Sequence, residues 1–298
     1  MNRPVPTPIS FQLGEITVLR IKETLGRAFA PLFLLPDMDR TVLQEHAGWL
    51  VPSHYDPGAD RFVMGTHSWV LKTKRHTILI DTCIGNHKFR PHSPNFNMLD
   101  LPYLQRLADA GLAVEDIDVV FCTHMHVDHV GWNTRLLNGR WVPTFPKARY
   151  LYSRREFEWV KNRAGEVPDS DEAAIFNDSI GPIAAAGLAT IVDDGYEIEP
   201  GITLELAAGH TPGSMVMRVQ SGQGRAALIG DICHHPLQVF YPEWNSAFCE
   251  DAEKARDTRR RVLASVAADG SLLMPAHFGA PFLCHVDAHG DHFAPRFA

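Results

Sequence analysis

The sequence predicts an α/β fold in which a pair of mixed β-sheets is flanked by helices. Apolar segments with strand periodicity follow one another early in the chain, where short polar turns separate them as in hairpins. Later such segments alternate with helical segments, which is the order expected of mixed sheets covered by helices. No break in composition divides the 298 residues. We therefore expect one domain over residues 1–298, with residues 1–14 as a proline-rich N-terminal arm.

The first half of the chain carries the hairpin pattern. Residues 16–23 alternate between apolar and polar side chains, as a strand does, whereas residues 26–65 are irregular and their apolar groups are interrupted by prolines. A connector of that length is unusual, so we expect it to cover a pocket rim or a partner subunit. The other elements predicted in this half are strands at 68–73, 77–80 and 118–122 and a helix at 98–110.

The second half alternates strands with helices. Ser153 is expected to cap the helix that follows the strand at 148–152, because a serine side chain accepts a hydrogen bond from the first helical turn. Further helices are predicted at 171–186 and 251–268, and strands at 189–192, 202–207, 215–220, 225–229 and 271–274. The histidine-rich C-terminus is predicted to be a hairpin of strands at 282–287 and 292–297, because its residues alternate about a glycine.

Composition argues against several classes of protein. The formal net charge of −7 argues against a nucleic-acid partner, because such binding depends on clustered lysine and arginine. No apolar segment reaches the roughly 18 residues of a membrane span, and the N-terminus has no apolar signal segment. The five cysteines form no C-x-x-C pair and are expected to be reduced thiols, which is typical of a cytoplasmic protein.

The strongest chemical signal is the segment THMHVDH at 123–129, which directly follows the predicted strand at 118–122. Side chains at positions i and i+2 of an extended chain lie on one side, so His124 and His126 can bind one metal ion. Asp128 and His129 lie past the bend and can bind a second ion. Imidazole and carboxylate ligands are typical of zinc and other divalent first-row ions.

Three further candidate ligands follow apolar strands in the same way. His210 follows the strand predicted at 202–207, Asp231 follows that at 225–229, and His277 follows that at 271–274. Strand ends that meet at one edge present their next residues to a common site. The sequence therefore predicts one metal site assembled from four strand ends.

These motifs resemble those of the metallo-β-lactamase superfamily over about residues 16–293. Asp81, at the end of a predicted strand, is similar to the early aspartate of that family. The resemblance implies an αββα sandwich of two mixed β-sheets flanked by helices. It also implies two divalent metal ions, most often zinc, with manganese, iron or cobalt as alternatives. The ligands it implies are His124, His126 and His210 for the first ion, Asp128, His129 and His277 for the second, and Asp231 for both.

The resemblance further implies a hydrolase in which a metal-bridging hydroxide attacks a lactone, an ester or a phosphotriester. Residues 130–133 and 232–236 are similar to those of methyl parathion hydrolases and their lactonase-like and arylesterase-like relatives. Acyl-homoserine lactonases usually have a tyrosine three residues after the bridging aspartate, where this chain has His234, which argues against that specificity. We expect Asp128 or Asp231 to orient the nucleophile and His234 to donate a hydrogen bond to the oxyanion or leaving group.

The predicted substrate is a moderately hydrophobic small molecule, because ligand pockets are mostly apolar and aromatic residues lie near the motifs. These residues are Phe89, Trp132, Phe240, Tyr241, Trp244 and Phe282. A mononuclear iron oxidoreductase of the same fold, acting on sulfur compounds, is the alternative. We expect neither a nucleic acid nor a membrane as a partner, and we expect a homodimer, for which the N-terminal arm and residues 26–65 are the argument.

Overall fold

The computed structural model describes residues 10–290 and 292–297. Its strands are β1 (Ser10–Leu13), β2 (Ile16–Arg27), β3 (Tyr55–Asp56), β4 (Arg61–Lys72), β5 (Thr77–Ile80), β6 (Val119–Phe121), β7 (Thr134–Leu137), β8 (Arg140–Pro143), β9 (Arg149–Ser153), β10 (Ala189–Val192), β11 (Glu197–Glu199), β12 (Ile202–Leu206), β13 (Met215–Ser221), β14 (Gly224–Gly230), β15 (Leu272–Pro275), β16 (His285–His289) and β17 (His292–Arg296). Its α-helices are α1 (Pro31–Leu34), α2 (Val42–Glu45), α3 (Ala47–Leu50), α4 (Tyr103–Asp109), α5 (Arg154–Glu166), α6 (Asp171–Ile175), α7 (Gly181–Ala185), α8 (Leu237–Phe240) and α9 (Ala252–Asp269).

The chain divides into two compact units. The first unit consists of the residues up to Glu23, His67–Tyr152 and Phe157–Val192, and the second of Thr24–Thr66, Ser153–Glu156 and the residues from Asp193 onward. The single domain over residues 1–298 stays a prediction. Residues 1–9 of the predicted arm lie outside the described residues, and residues 10–13 form a strand instead of an arm.

The first unit contains a sheet in the order β1-β2-β4-β5-β6-β9-β10, to which β2 contributes its residues up to Glu23 and β4 those from His67 onward. The hairpins predicted early in the chain are present as antiparallel pairs of β1 with β2 and of β4 with β5. The strands β5, β6 and β9 are parallel, with Phe121 opposite both Ile80 and Leu151. Parallel neighbours end at the same edge, so the residues after β5 and β6 lie side by side.

Two predicted helices of the first unit differ from those observed, and proline explains both differences. The helix predicted at 98–110 begins only at Tyr103, because Pro102 disfavours a helical conformation for the residue before it. The helix predicted at 171–186 is divided into α6, a π-helical turn at Phe176–Ile180 and α7. Pro182 has no N–H for the carbonyl oxygen of Asp178, which accepts hydrogen bonds from Lys88 Nζ and Thr134 Oγ1 instead.

The second unit contains a sheet in the order β11-β12-β13-β14-β15. The strands β12, β13 and β14 pair antiparallel, and β15 pairs parallel to β14. The strands β12, β14 and β15 therefore run in one direction and end at one edge of this sheet. The predicted C-terminal hairpin is present as β16 and β17.

Two hydrophobic clusters form the core of the second unit. One lies among the sheet, α9 and the C-terminal hairpin and includes Val216, Val262 and Phe278. The other is built by residues 26–65, whose leucines and phenylalanine pack with Leu237 and Trp244. That segment is therefore structured, with α1, α2, α3 and β3, rather than irregular throughout.

Two compositional predictions can be compared with the described residues. The five cysteines carry free thiols, which confirms the prediction from their spacing. Within residues 10–290 and 292–297, no helix combines the length and the apolar character that crossing a membrane requires.

Candidate metal centre

The first cluster of candidate ligands follows β6 in the first unit. The ring of His124 has its centroid 4.7 Å from that of His126 and 3.9 Å from that of His129. Asp128 places Oδ1 3.6 Å from Nε2 of His129. The four ligands predicted from the THMHVDH segment therefore lie in one cluster, of which His124 and His129 are buried.

Asp81 holds this cluster from the adjacent strand end. Its Oδ2 lies 2.9 Å from Nδ1 of His129, and its Oδ1 accepts a hydrogen bond of 2.7 Å from the backbone N–H of Thr123. A carboxylate only accepts hydrogen bonds, so Nδ1 of His129 carries the proton and Nε2 presents its lone pair to a ligand. The early aspartate implied by the family resemblance is thus the residue that orients a candidate metal ligand.

Glu23 positions two loops of the first unit, and nothing in the sequence distinguishes it from a surface carboxylate. Its carboxylate accepts hydrogen bonds of 2.8 Å from the N–H of Ile84, 3.0 Å from that of Gly85 and 2.7 Å from the indole of Trp132. A Cβ at Gly131 would lie 1.8 Å from the carbonyl oxygen of Ile84, so the two loops touch along their backbones. Burial raises the pKa of Glu23 to about 7.

The second cluster lies at the edge of the sheet in the second unit and surrounds Asp231. Oδ1 of Asp231 lies 3.0 Å from Nε2 of His277. Oδ2 lies 3.4 Å from Nε2 of His210 and 3.1 Å from Nε2 of His234. All four side chains are buried, so three imidazoles face one carboxylate with little water between them.

The separations in this cluster fit a metal ion. Nδ1 of His277 lies 2.9 Å from the carbonyl oxygen of Gly65 and therefore carries the proton, which leaves the Nε2 lone pair directed at Asp231. A lone pair and a carboxylate oxygen 3.0 Å apart repel each other unless a cation lies between them. Ligand atoms about 2.0–2.1 Å from a tetrahedral zinc ion lie roughly 3.3 Å from one another, which matches this spacing.

Glu156 positions the loop that carries His210, and sequence reasoning missed it. Its Oε2 accepts hydrogen bonds of 2.8 Å from Thr211 Oγ1 and 2.9 Å from the N–H of Gly213. A Cβ at Gly213 would lie 2.2 Å from the backbone nitrogen of Glu156, so only glycine fits there. The carboxylate is buried and stabilises a tight turn beside a candidate ligand.

His234, predicted to be catalytic, lies within the second cluster. Its backbone N–H donates to Oε1 of Gln238 at 2.7 Å, which fixes the turn after Asp231. Arg259 holds the same segment through hydrogen bonds of 2.7 Å to the carbonyl oxygen of Ile232 and 2.6 Å to that of Pro242. The ring of His234 is thereby held next to Asp231.

The aromatic residues predicted to lie near the ligand motifs have different surroundings. Trp132 is buried and stacks on Tyr103 at 5.3 Å, and Trp244 and Phe282 are also buried. Phe89 is 63% exposed. Three of the six are thus buried and one is largely exposed, a difference that their positions in the sequence did not indicate.

Comparisons with known proteins agree with the geometry. A family model described as the metallo-beta-lactamase superfamily matches residues 61–277. A hydrolase of the beta lactamase superfamily, AbOPH, is 21% identical with a TM-score of 0.81, and 99% of each chain is covered. AidC, described as a dizinc quorum-quenching lactonase in complex with a product, is 20% identical with a TM-score of 0.77, covering 98% of this chain and 97% of AidC.

A third solved structure, of a probable metal-dependent hydrolase from Staphylococcus aureus, is 18% identical with a TM-score of 0.78, covering 97% of this chain and 99% of that one. No curated protein matches the sequence. The α/β fold class implied by the resemblance is confirmed by these matches. The closer similarity to methyl parathion hydrolases stays a prediction.

Proposed function

Because the chain belongs to the metallo-beta-lactamase superfamily, we propose that it is a metal-dependent hydrolase that cleaves a lactone, ester or phosphotriester of a moderately hydrophobic small molecule. One observation carries the proposal: Asp231 lies 3.0–3.4 Å from the Nε2 atoms of three buried histidines. The similarity of the fold to proteins described as hydrolases, one of them a dizinc lactonase, supports it.

The proposed cofactor is a pair of divalent ions, most often zinc, with manganese, iron or cobalt as alternatives. When bound, such ions lower the pKa of the attacking water and polarise the carbonyl or phosphoryl oxygen. The superfamily pattern assigns the ligands of this proposal: His124, His126 and His210 for one ion, Asp128, His129 and His277 for the other, and Asp231 for both.

Side chains of this protein orient the attacking water and stabilise the charge that develops on the substrate. In the proposal, Asp128 or Asp231 accepts a hydrogen bond from the attacking water and turns its lone pair toward the substrate. His234 donates a hydrogen bond to the developing oxyanion or to the leaving group. Its side chain is only 3% exposed, and a donor in a site that excludes water stabilises a developing charge more strongly than one in bulk solvent.

The test combines metal content with a substrate panel. The purified protein is analysed for metal per chain and assayed with an aryl ester, γ- and δ-lactones, methyl paraoxon and nitrocefin. We expect two ions per chain and turnover of an ester, lactone or phosphotriester. Asp231→Asn keeps the shape of the side chain and should lower both metal content and turnover. His285→Ala, in the C-terminal hairpin, is the control and should change neither.

The alternative function gives a different result in the same experiment. One iron per chain, with no turnover of any member of the panel, would overturn the proposed hydrolase and favour the iron oxidoreductase. Two ions per chain with full turnover by Asp231→Asn would overturn the ligand assignment but not the activity.

A further inference from the structure

Three phenylalanine rings lead away from the cluster around Asp231 within the second unit. The ring of Phe248 has its centroid 6.1 Å from that of His234. Phe29 lies 5.3 Å from Phe248, and Phe33 stacks on Phe29 at 5.5 Å. We call Phe29, Phe33 and Phe248 the aromatic strip. It forms a continuous apolar path that begins beside a candidate catalytic residue.

The outer end of the strip is open to water. Phe33 is 55% exposed and its neighbour Leu32 is 45% exposed, whereas Phe29 and Phe248 are half-buried. The same short helix buries Pro31 and Leu34, so its exposed side is not the side that anchors it. Exposed apolar groups that border a buried polar cluster are typical of ligand-binding surfaces.

The strip is attached to the backbone that carries the candidate ligands. The N–H of Ala247 donates to the carbonyl oxygen of Leu34 at 2.9 Å, which joins the segment of Phe248 to the helix of Phe33. On its other side, the N–H of Glu250 donates to the carbonyl oxygen of His210 at 2.9 Å. The backbone segments that carry the rings are thus joined before a ligand arrives, and such preorganisation lowers the entropic cost of binding.

We infer that the aromatic strip is the subsite that receives the apolar acyl or aryl group of the substrate, an inference that rests on the proposed function. Phenyl rings offer no hydrogen-bonding groups, so the group that covers them must itself be apolar. A second protein surface could cover Phe33 but could not reach the buried His234 at the inner end. An acyl chain or an aryl ring could instead lie against the exposed ring of Phe33 and the half-buried rings of Phe29 and Phe248.

Chain-length selectivity tests the inference. The ratio of kcat/KM for p-nitrophenyl octanoate to that for p-nitrophenyl acetate is measured for the wild type, Phe33→Ala and Phe248→Ala. We expect the ratio to fall by about tenfold in each variant, mainly through a higher KM for the octanoate, because an aromatic contact with the chain is lost. Leu136→Ala removes an exposed apolar side chain from a hairpin of the first unit and should leave the ratio unchanged.

Binding without turnover separates the inference from the proposed function. Octanamide is titrated calorimetrically into the metal-free protein and into each variant. Weaker binding by Phe33→Ala and Phe248→Ala supports the strip even if no ester is hydrolysed, an outcome that would overturn only the hydrolase. Unchanged ratios and unchanged octanamide binding would overturn the strip alone. A wild-type dimer that Phe33→Ala converts to a monomer would also overturn it, because the strip would then be a subunit interface.

Discussion

The imidazole rings of His129 and His277 each engage one nitrogen in a hydrogen bond that leaves the other nitrogen as the candidate ligand. The partner is the carboxylate of Asp81 for His129 and a backbone carbonyl oxygen for His277. Such contacts fix the tautomer and the direction of the ring. At the scale of single residues, the candidate centre is therefore prepared for metal by groups that do not themselves bind it.

Replacing Asp81 tests this preparation. Asp81→Asn keeps the size of the side chain but leaves one acceptor oxygen for two donors, so its NH2 group must face either Nδ1–H of His129 or the N–H of Thr123. We expect zinc affinity, measured by competition with a chromophoric chelator, to fall by about 10- to 100-fold. Asp118→Asn is the matched control, because Asp118 accepts from the N–H of Thr77 at the opposite end of the same strand pair. Equal affinities of the two variants would contradict the orienting role of Asp81.

His234 provides the second prediction at this scale. We expect His234→Ala to lower kcat on the best ester or lactone by about 100-fold, because a buried donor to the oxyanion is removed. Its metal content should stay at the wild-type value, which separates a loss of catalysis from a loss of metal. A kcat within about twofold of the wild type would exclude the catalytic role.

At the scale of elements, the π-helical turn at Phe176–Ile180 is stabilised by an ionic contact. Arg90 makes two hydrogen bonds to Asp178, of 2.7 and 2.8 Å, and both groups are buried. Lys88 lies beside them, 3.4 Å from the same carboxylate. Because Pro182 has no N–H, this turn has one backbone hydrogen bond fewer. The ionic contact connects the turn to the loop that carries Phe89.

Removing the carboxylate from this contact should destabilise the fold. Asp178→Asn leaves the buried guanidinium of Arg90 without a countercharge. We expect a loss of about 3–5 kcal/mol in the free energy of unfolding, measured by urea denaturation. Asp193→Asn is the control, because Asp193 pairs with Arg154 on the surface and should give no measurable change. Similar midpoints for both variants would show that the buried pair does not stabilise the turn.

The buried carboxyl of Glu23 makes stability depend on pH. Its pKa is raised to about 7 from 4.5, mainly by burial. Between these values the folded protein retains a proton that the unfolded chain has released, so this contribution is fully present below about pH 4.5 and is lost toward pH 7. Relative to Glu23→Gln, wild-type stability should fall by about 3 kcal/mol over that range, as urea denaturation would measure. A difference that stays constant with pH would contradict the shifted pKa.

At the scale of the whole molecule, metal removal should lower stability. Each of the two ligand clusters brings a carboxylate together with imidazole rings. An ion bound only to the folded state stabilises that state by mass action. We expect dipicolinate to lower the melting temperature by about 5–10 °C, which corresponds to about 2–3 kcal/mol. Added zinc should restore it in calorimetry. An unchanged melting temperature on complete metal removal would mean that the clusters do not hold the ion in the folded protein.

The sequence predicted the candidate ligands because each follows an apolar strand, and strand ends are recognisable from local periodicity. It did not predict the positioning roles of Glu23 and Glu156, because their partners are distant in sequence. Ile84 lies 61 positions from Glu23, and Thr211 lies 55 positions from Glu156. Those pairs exist only once the chain has folded. The late start of α4 and the division of the helix at 171–186 were a different kind of error, since Pro102 and Pro182 were visible in the sequence and their effects on the backbone are local.

The hydrogen bond from His277 to Gly65 has a consequence for protein engineering. The acceptor is a main-chain oxygen, so a library that varies only side chains around the centre has no direct way to delete it. Selection for new substrates can therefore reshape the walls of the site while this imidazole keeps its orientation. The path of a strand, rather than the identity of any amino acid, preserves the ligand through such changes.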